Sequence, residues 1–234
     1  MSSVAILLAG GSGSRMRGAV QDKVLEPILG VPGFVYSVRA FLESGVAEKF
    51  VIVRRVDAQR DAILGALAAH GHGGLDIVWA SGGAERRDSV LNGLEACPAC
   101  TALAFIHDGA RPLVRPESLR ALAEAASRDG AAVLAHRVKD TIKQVPNGGV
   151  AGVPVDPRDL DRSTLWAMET PQVFSHRLIL DAYRRVVAEG VAITDDVAAA
   201  SHAGHKVTLV ENFFPNPKIT EPADLAWAEF LLRR

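Results

Sequence analysis

The residues with the strongest chemical content are three basic side chains, Arg15, Lys23 and Lys218, and one carboxylate, Asp108, each placed in or beside a turn rich in glycine or proline. The densest arrangement follows Val4-Ala5-Ile6-Leu7-Leu8, where Ala9-Gly10-Gly11-Ser12-Gly13-Ser14-Arg15-Met16 runs on to Lys23. Glycines lack the Cβ that bars positive φ, so such a turn can aim successive N–H groups at an anion, and Arg15 and Lys23 add formal positive charge. The pattern predicts a phosphate loop made from the backbone of Ala9, Gly10, Gly11 and Gly13, with a nucleoside triphosphate as the guest. An ordinary glycine turn at a strand end is the plainer alternative. Two better-known phosphate loops fit worse. No Lys-Ser or Lys-Thr follows, as a Walker loop requires, and Met16 stands where the dinucleotide fingerprint has its third glycine.

A second glycine turn, Ser81-Gly82-Gly83-Ala84-Glu85-Arg86-Arg87-Asp88-Ser89-Val90, offers exposed backbone for a nucleobase, with Ser89 able to donate or accept a hydrogen bond at a base edge. A helix cap followed by a solvated charge run explains the same residues. The turn His107-Asp108-Gly109-Ala110-Arg111-Pro112 closes a strand, so Asp108 is a candidate for a metal or a sugar hydroxyl. An Asp108–Arg111 ion pair that braces the turn is the competing reading. Lys218, in Asn216-Pro217-Lys218-Ile219-Thr220, reads locally as a surface lysine in a rigid turn. Thr194, in Ala192-Ile193-Thr194-Asp195-Asp196, reads as a helix cap. Cys97 and Cys100 form Cys-Pro-Ala-Cys without a second pair, which gives a redox or zinc role little support.

The elements that must position these groups alternate. Val4–Leu8, Phe50–Val53, Leu75–Trp79, Thr101–Ile106, Ala131–Ala135 and Lys206–Val210 read as strands; Phe34–Leu42, Ala58–Ala69, Asp88–Ala96, Pro116–Arg128, His176–Glu189 and Pro222–Leu232 read as helices. Apolar strands between helices predict an α/β fold with a mostly parallel, Rossmann-like sheet, in which strand carboxyl ends border the ligand crevice. The stretch 138–165 breaks the pattern. Lys139–Val145, the turn Pro146-Asn147-Gly148-Gly149 and Val150–Val155 read as a β-hairpin inserted in the α/β body, and a second copy of the chain would bury it. The chain thus divides into a nucleotide-binding core over 1–137, a β-arm over 138–165, and the rest of the core over 166–234. It is read as one domain and a homodimer.

Composition narrows the partners. At 234 residues, 48% apolar and 23% charged, the chain can bury a large core. Its net charge of −1 removes the electrostatic basis for non-specific nucleic-acid binding, so the expected ligand is small. No run of eighteen apolar residues is present and the start lacks a signal-peptide pattern, so no membrane association and a cytoplasmic location are expected.

Taken in order, Ala9 to Met16, Gly82-Gly83 to Ser89-Val90, His107 to Pro112, Asp140-Thr141-Ile142-Lys143 and Asn216 to Thr220 make the chain resemble the 2-C-methyl-D-erythritol 4-phosphate cytidylyltransferase family along nearly its whole length. The segments Leu165-Trp166 to Thr170-Pro171-Gln172 and Ile193-Thr194-Asp195 agree with it too. The resemblance implies a nucleotidyltransferase with a protruding β-arm that interlocks two subunits, and a Mg²⁺-dependent transfer of CMP from CTP to a polyol phosphate. It implies that the first loop with Arg15 and Lys23 holds the triphosphate, that Gly83, Ala84 and Ser89 meet cytosine, and that Asp108 and Gly109 lie at ribose, metal or acceptor. Arg111, Thr141 and Arg162 would hold the acceptor phosphate, partly from the partner's arm, with Thr170, Thr194 and Lys218 completing the pocket. The chain departs from the family at Asp22-Lys23-Val24-Leu25, where Pro-Lys-Gln-Tyr is usual, so an extra carboxylate stands beside the cation. Leu8 and Gly10 replace the commoner proline and alanine, and the related ribitol 5-phosphate cytidylyltransferases also often begin Leu-Ala-Gly-Gly. Ribitol 5-phosphate is therefore the alternative acceptor, and a non-catalytic nucleotide-binding protein the alternative class.

Overall fold

Every second residue of the first strand packs on the same side of a sheet, although the strand is apolar throughout. Ala5 and Leu7 join one hydrophobic core with Phe41, Phe50 and Phe105, while Val4 and Ile6 join another with Val51, Val53 and Tyr183. A strand buried on both faces needs helices on both, which is the parallel-sheet solution. The computed structural model describes residues 2–11 and 22–233.

Among those residues the elements run β1 (Ser3–Leu8), the short pair β2 (Pro27–Ile28) and β3 (Val31–Pro32), α1 (Gly33–Ser44), β4 (Lys49–Arg54), α2 (Asp57–Ala69), β5 (Ile77–Ser81), α3 (Arg86–Glu95), β6 (Leu103–Asp108), α4 (Pro116–Asp129) and β7 (Ala131–Arg137). Next come β8 (Lys143–Gln144), β9 (Arg158–Asp159), β10 (Trp166–Ser175), α5 (His176–Ala188), α6 (Asp196–His202), β11 (Thr208–Glu211) and α7 (Pro222–Leu232). The main sheet has seven strands in the order β11-β7-β10-β6-β1-β4-β5. All neighbours are parallel except β10, which lies antiparallel between β6 and β7. The expected α/β, mostly parallel, Rossmann-like sheet is the one found.

Two consequences bear on function. The carboxyl ends of β1, β4, β5 and β6 gather Leu8, Arg54, Ser81 and Asp108 at one edge, and β1 lies between β4 and β6, where the winding reverses. Because β10 runs the other way, it brings its beginning to that edge, so Glu169 and Thr170 lie beside the end of β6. The peptide bond between Thr170 and Pro171 is cis, and the register of β10 against β7 shifts between Met168 and Gln172.

The expected hairpin is corrected in its pairing. Lys143 and Gln144 pair with Asp159 and Arg158, not with residues 150–155. Pro146–Gly148 forms a 3₁₀ turn, Gly148, Gly149 and Gly152 take positive φ, and Pro154 and Pro157 offer no N–H, so this stretch coils back on itself instead of extending. A second correction concerns the start of α6. Its cap is Asp195, whose side chain accepts the N–H of Ala198, and Thr194 is exposed one residue earlier.

Helix α3 lies close enough to the sheet that a Cβ on Gly93 would come within 2.8 Å of an Ile6 methyl and 2.9 Å of a Val53 methyl. That approach sets the height of the second glycine turn over β1 and β4. Gly93→Val is expected to lose about 1–3 kcal/mol through overpacking. Its urea midpoint would fall at unchanged slope, whereas a wild-type midpoint would mean the helix lifts without cost.

Candidate functional site

Asp108 is the last residue of a strand whose members are all buried, and its carboxylate faces three cations. Lys218 Nζ donates to Oδ2 at 2.6 Å, Arg86 Nε lies 3.6 Å from Oδ1, and Arg111 Nε lies 4.0 Å from Oδ2. Burial opposes ionisation of this carboxyl, yet the charges of Arg86, Lys218 and Arg111 outweigh it and hold the group well below the usual carboxylate range. Asp108 is therefore an anion at every physiological pH.

The turn behind Asp108 is held by a chain of hydrogen bonds whose directions follow from the atoms present. The Asp108 N–H donates to Thr170 Oγ1, 3.1 Å away, and His107 Nε2 is 3.1 Å from the Arg111 carbonyl, which can only accept. His107 therefore carries its proton on Nε2, and Nδ1 accepts from the Thr170 hydroxyl at 3.2 Å. The ring is fully buried with its edge against Phe41, and burial lowers its pKa to about 4, so the neutral form this chain requires is the stable one. Thr170 thus serves as a buried brace under Asp108.

Arg86 ties Asp108 to helices α5 and α6, which pack on the same face of the sheet as Ala104 and Ile106 of β6. Its two terminal nitrogens meet both oxygens of the fully buried Asp196 at 2.8 and 2.9 Å, and the Tyr183 hydroxyl donates to the same carboxylate. A bidentate fork of this kind fixes orientation as well as charge. Glu169 forms a second hub. It is buried, accepts amide hydrogens from Asn212 and Asn216 at 2.9 Å each, and lies 2.6 Å from His136. Asn216 also donates to the Thr170 carbonyl, and its own carbonyl accepts from Arg111. The turn before Lys218 is thereby anchored to β10, which presents Lys218 to Asp108. Arg111 Nε and Asn216 Oδ1 are buried without a hydrogen-bond partner among the described residues.

In front of Asp108 opens a cleft of about 460 Å³ between the two glycine turns. Gly10, Gly11 and Lys23 form one wall, Gly83, Ala84, Arg86 and Ser89 the other, and Asp108, Lys218 and Thr220 line it as well. Lys23 lies along Gly11, its Cε and Nζ 3.6 and 3.7 Å from where a Cβ on that glycine would stand. On the opposite wall Gly83 is obligatory, since its Cβ would fall 2.3 Å from that of Asp88, part of the reciprocal cap that starts α3. The Gly83 N–H donates to Ser89 Oγ at 3.0 Å and Ser89 Oγ donates to the Glu85 carbonyl at 3.2 Å, so Ser89 shapes the turn from within.

Of the residues singled out in the sequence, Gly10, Gly11, Lys23, Gly83, Ala84, Ser89, Asp108 and Lys218 line this cleft. Ala9 is buried at its base, and the Gly109 N–H donates to the Leu8 carbonyl behind it. Thr141 and Arg162 are exposed on the arm, where Arg162 donates to the Lys139 carbonyl, and neither they nor Thr194 line the cleft. Gly13 and Arg15 lie outside the described residues. Arg86 and Asp196 belong to the site without a distinct mark in the sequence: Arg86 stands in a charge run, and Asp196 is the second of a doubled aspartate of which only the first is needed as a cap. Cys97 is half-buried, and burial pushes its thiol up to about 12, so it is an inert packing residue.

A family model described as IspD, 2-C-methyl-D-erythritol 4-phosphate cytidylyltransferase, matches residues 3–234. A protein of that name from Shouchella clausii is 35% identical over 234 residues, covering 100% of this chain and 98% of its own. One from Symbiobacterium thermophilum is 39% identical over 229 residues, covering 97% of this chain and 91% of its own. The crystal structure of 2-C-methyl-D-erythritol 4-phosphate cytidylyltransferase from Thermus thermophilus superposes with a TM-score of 0.79 at 28% identity, covering 100% of each chain. Among the described residues no helix is long and apolar enough to cross a membrane.

The buried His107 gives a pH signature. The folded protein binds its proton only below about 4, while an unfolded chain binds it below 6.5, so stability rises with pH between those values and is lost as pH falls through them. The gap of about 2.5, at about 1.4 kcal/mol per unit, is on the order of 3 kcal/mol. Urea midpoints between about pH 4 and 7 should show this slope in the wild type and a shallower one in His107→Gln; equal slopes would mean the ring titrates freely.

Proposed function

The chain belongs to the 2-C-methyl-D-erythritol 4-phosphate cytidylyltransferase family, and from that premise we propose that it transfers CMP from CTP to 2-C-methyl-D-erythritol 4-phosphate in the cleft between its two glycine turns. The products are CDP-methylerythritol and pyrophosphate, in non-mevalonate isoprenoid synthesis. The observation that supports this placement is the convergence of Lys23, Lys218 and Arg86 on one cleft whose opposite walls are exposed glycine backbone.

The chemistry needs no nucleophilic side chain. A phosphate monoester loses its second proton near pH 6, so the acceptor arrives as a dianion and no general base is required. One of its oxygens forms a bond to the α-phosphorus of CTP while the bond from that phosphorus to the β-phosphate oxygen breaks, and pyrophosphate leaves with that electron pair. The obstacle is repulsion between anions. Lys23 beside Gly11 and Lys218 beside Asp108 neutralise charge at the α-phosphate, with Arg15 as the third cation proposed from the sequence. Cytosine lies against Gly83 and Ala84, with Ser89 setting the turn's shape.

A divalent cation supplies further neutralisation of the phosphates when bound. Mg²⁺ is usually held by one or two carboxylates together with substrate phosphates, and Asp108 is a carboxylate of this cleft that suits such a shared site. Its oxygens already face Lys218 and Arg86, and the described residues hold no cluster of three or more His, Cys, Asp or Glu, so most ligands would come from the nucleotide.

The acceptor phosphate is assigned to Arg111, whose buried Nε has no hydrogen-bond partner among the described residues, together with Thr194 and, from the partner's arm, Thr141 and Arg162, while Thr170 braces the turn under Asp108 from behind. The arm is the reason for proposing a homodimer. Val150, Val153 and Val155 are 69%, 56% and 46% exposed along it, an apolar stretch that a second copy would cover.

Pyrophosphate release measured with CTP and each acceptor should be fastest with 2-C-methyl-D-erythritol 4-phosphate; faster release with ribitol 5-phosphate would transfer the assignment, and CTP binding without turnover on either would remove it. Lys23→Ala should lower kcat about a hundredfold with the fold intact; wild-type turnover would contradict its role. Mixing inactive Lys23→Ala and Arg162→Ala subunits should restore activity in exchanged dimers, and a dead mixture after proven exchange would place the arm's residues elsewhere.

A further inference from the structure

Gln59 is a polar residue of α2 that is 4% exposed, and nothing in the reaction described above uses it. Its amide group is fully occupied. Nε2 donates to the Ala9 carbonyl at 3.0 Å and to Asp22 Oδ2 at 2.6 Å, while Oε1 accepts the Arg55 N–H at 2.7 Å. The orientation is forced, since a carbonyl and a carboxylate can only accept and a backbone N–H can only donate. One buried side chain thus joins three backbone segments: the end of β1, the residue before Lys23, and the turn after β4.

Ala9 and Asp22 are the two ends of the segment that carries the first glycine turn. Asp22 is fixed further, its Oδ1 accepting the Val24 N–H at 3.2 Å and its carbonyl accepting the Leu25 N–H at 3.1 Å. Val24 is buried in turn, and its carbonyl accepts from Phe34 at 2.8 Å. The backbone of Lys23 is therefore held from both neighbours, and its side chain lies along Gly11.

We propose that Gln59 and Asp22 form a clamp that closes the two ends of the phosphate loop and sets where Lys23 stands, which makes Gln59 a positioning residue for the transfer reaction. The clamp rests on the placement of the triphosphate at Lys23. It also gives a task to the carboxylate beside the lysine, which binds the buried amide donor on one oxygen and a backbone N–H on the other. Support of this kind decides whether a charged group meets its phosphate or stands an ångström away.

The test is a charge exchange. Asp22→Asn leaves a single acceptor oxygen for two donors, Gln59 Nε2 and the Val24 N–H, and Gln59→Glu sets two carboxylates face to face, so each single variant loses one bond of the clamp. In Asp22→Asn/Gln59→Glu the new amide at position 22 can donate to the new carboxylate at position 59. Each single variant is expected to lower kcat/KM for CTP about tenfold, with the KM for the acceptor unchanged. The double variant should return to within about threefold of wild type, the remainder reflecting the donor that the Ala9 carbonyl loses. Combined with Lys23→Ala, the same single exchanges should alter the residual kcat/KM for CTP less than about twofold, because the group they position is gone. Asp22→Asn, nearly isosteric and on a half-buried residue, carries the test should Gln59→Glu fail to fold. Single-variant effects of equal size with and without Lys23, or a double variant no better than the sum of its parts, would reduce the clamp to a structural bond and overturn the proposal. Wild-type activity in both single variants alongside a crippled Lys23→Ala would overturn the clamp alone, whereas wild-type activity in Lys23→Ala would remove the placement it rests on.

Discussion

A carboxylate at the end of a buried strand must be paired, and most of the site follows from how Asp108 meets that demand. An isolated anion there would carry a desolvation cost of several kcal/mol, so the fold brings Lys218, Arg86 and Arg111 to it from three different parts of the chain. The pairing that makes burial of Asp108 tolerable also gathers positive charge beside the cleft. Cations gathered around one carboxylate can turn part of their field toward a phosphate ligand, whose binding adds negative charge beside them.

Each of those cations is in turn held by something polar and buried. Arg86 is forked onto Asp196, which also takes the Tyr183 hydroxyl, and the turn carrying Lys218 is tied through Asn216 to Glu169 on the antiparallel strand. Buried ion pairs of this sort are poor evidence of net stability, since apolar replacements often do as well. Their value here is in placement. Few ways exist to satisfy all partners of Asp196 and Glu169 at once, and those ways put α3, β10 and the Lys218 turn in fixed positions around the cleft. Gln59 has the same character on the other wall.

Much of the scaffold was legible in the sequence because it depends on local patterns. Apolar runs bounded by glycine mark the central strands, and the helix from Pro222 to Leu232 matches its expected bounds. The sequence is least informative where the outcome depends on something distant or on a single side chain. Residues 150–155 have the composition of a strand, but three glycines with positive φ and two prolines within 148–157 leave no continuous ladder for them. Thr194 and Asp195 both suit a cap, and only the packing of α6 chooses between them. Glycine turns and cations could be picked out because anion binding demands those residue types. Arg86, Asp196, Glu169 and Gln59 could not, because a charged or amide side chain looks the same in the sequence whether it ends in water or in a buried network.

The central claim is that one cleft, lined by glycine backbone and flanked by Lys23 and Lys218, holds a nucleoside triphosphate at its α-phosphate. A crystal structure with CTP and Mg²⁺ tests it most directly. The account predicts phosphate oxygens over Gly10 and Gly11 within hydrogen-bond reach of both lysines, with the base against Gly83 and Ala84. A nucleotide bound elsewhere, with the first glycine turn free of phosphate and Lys218 engaged by Asp108 alone, would contradict it.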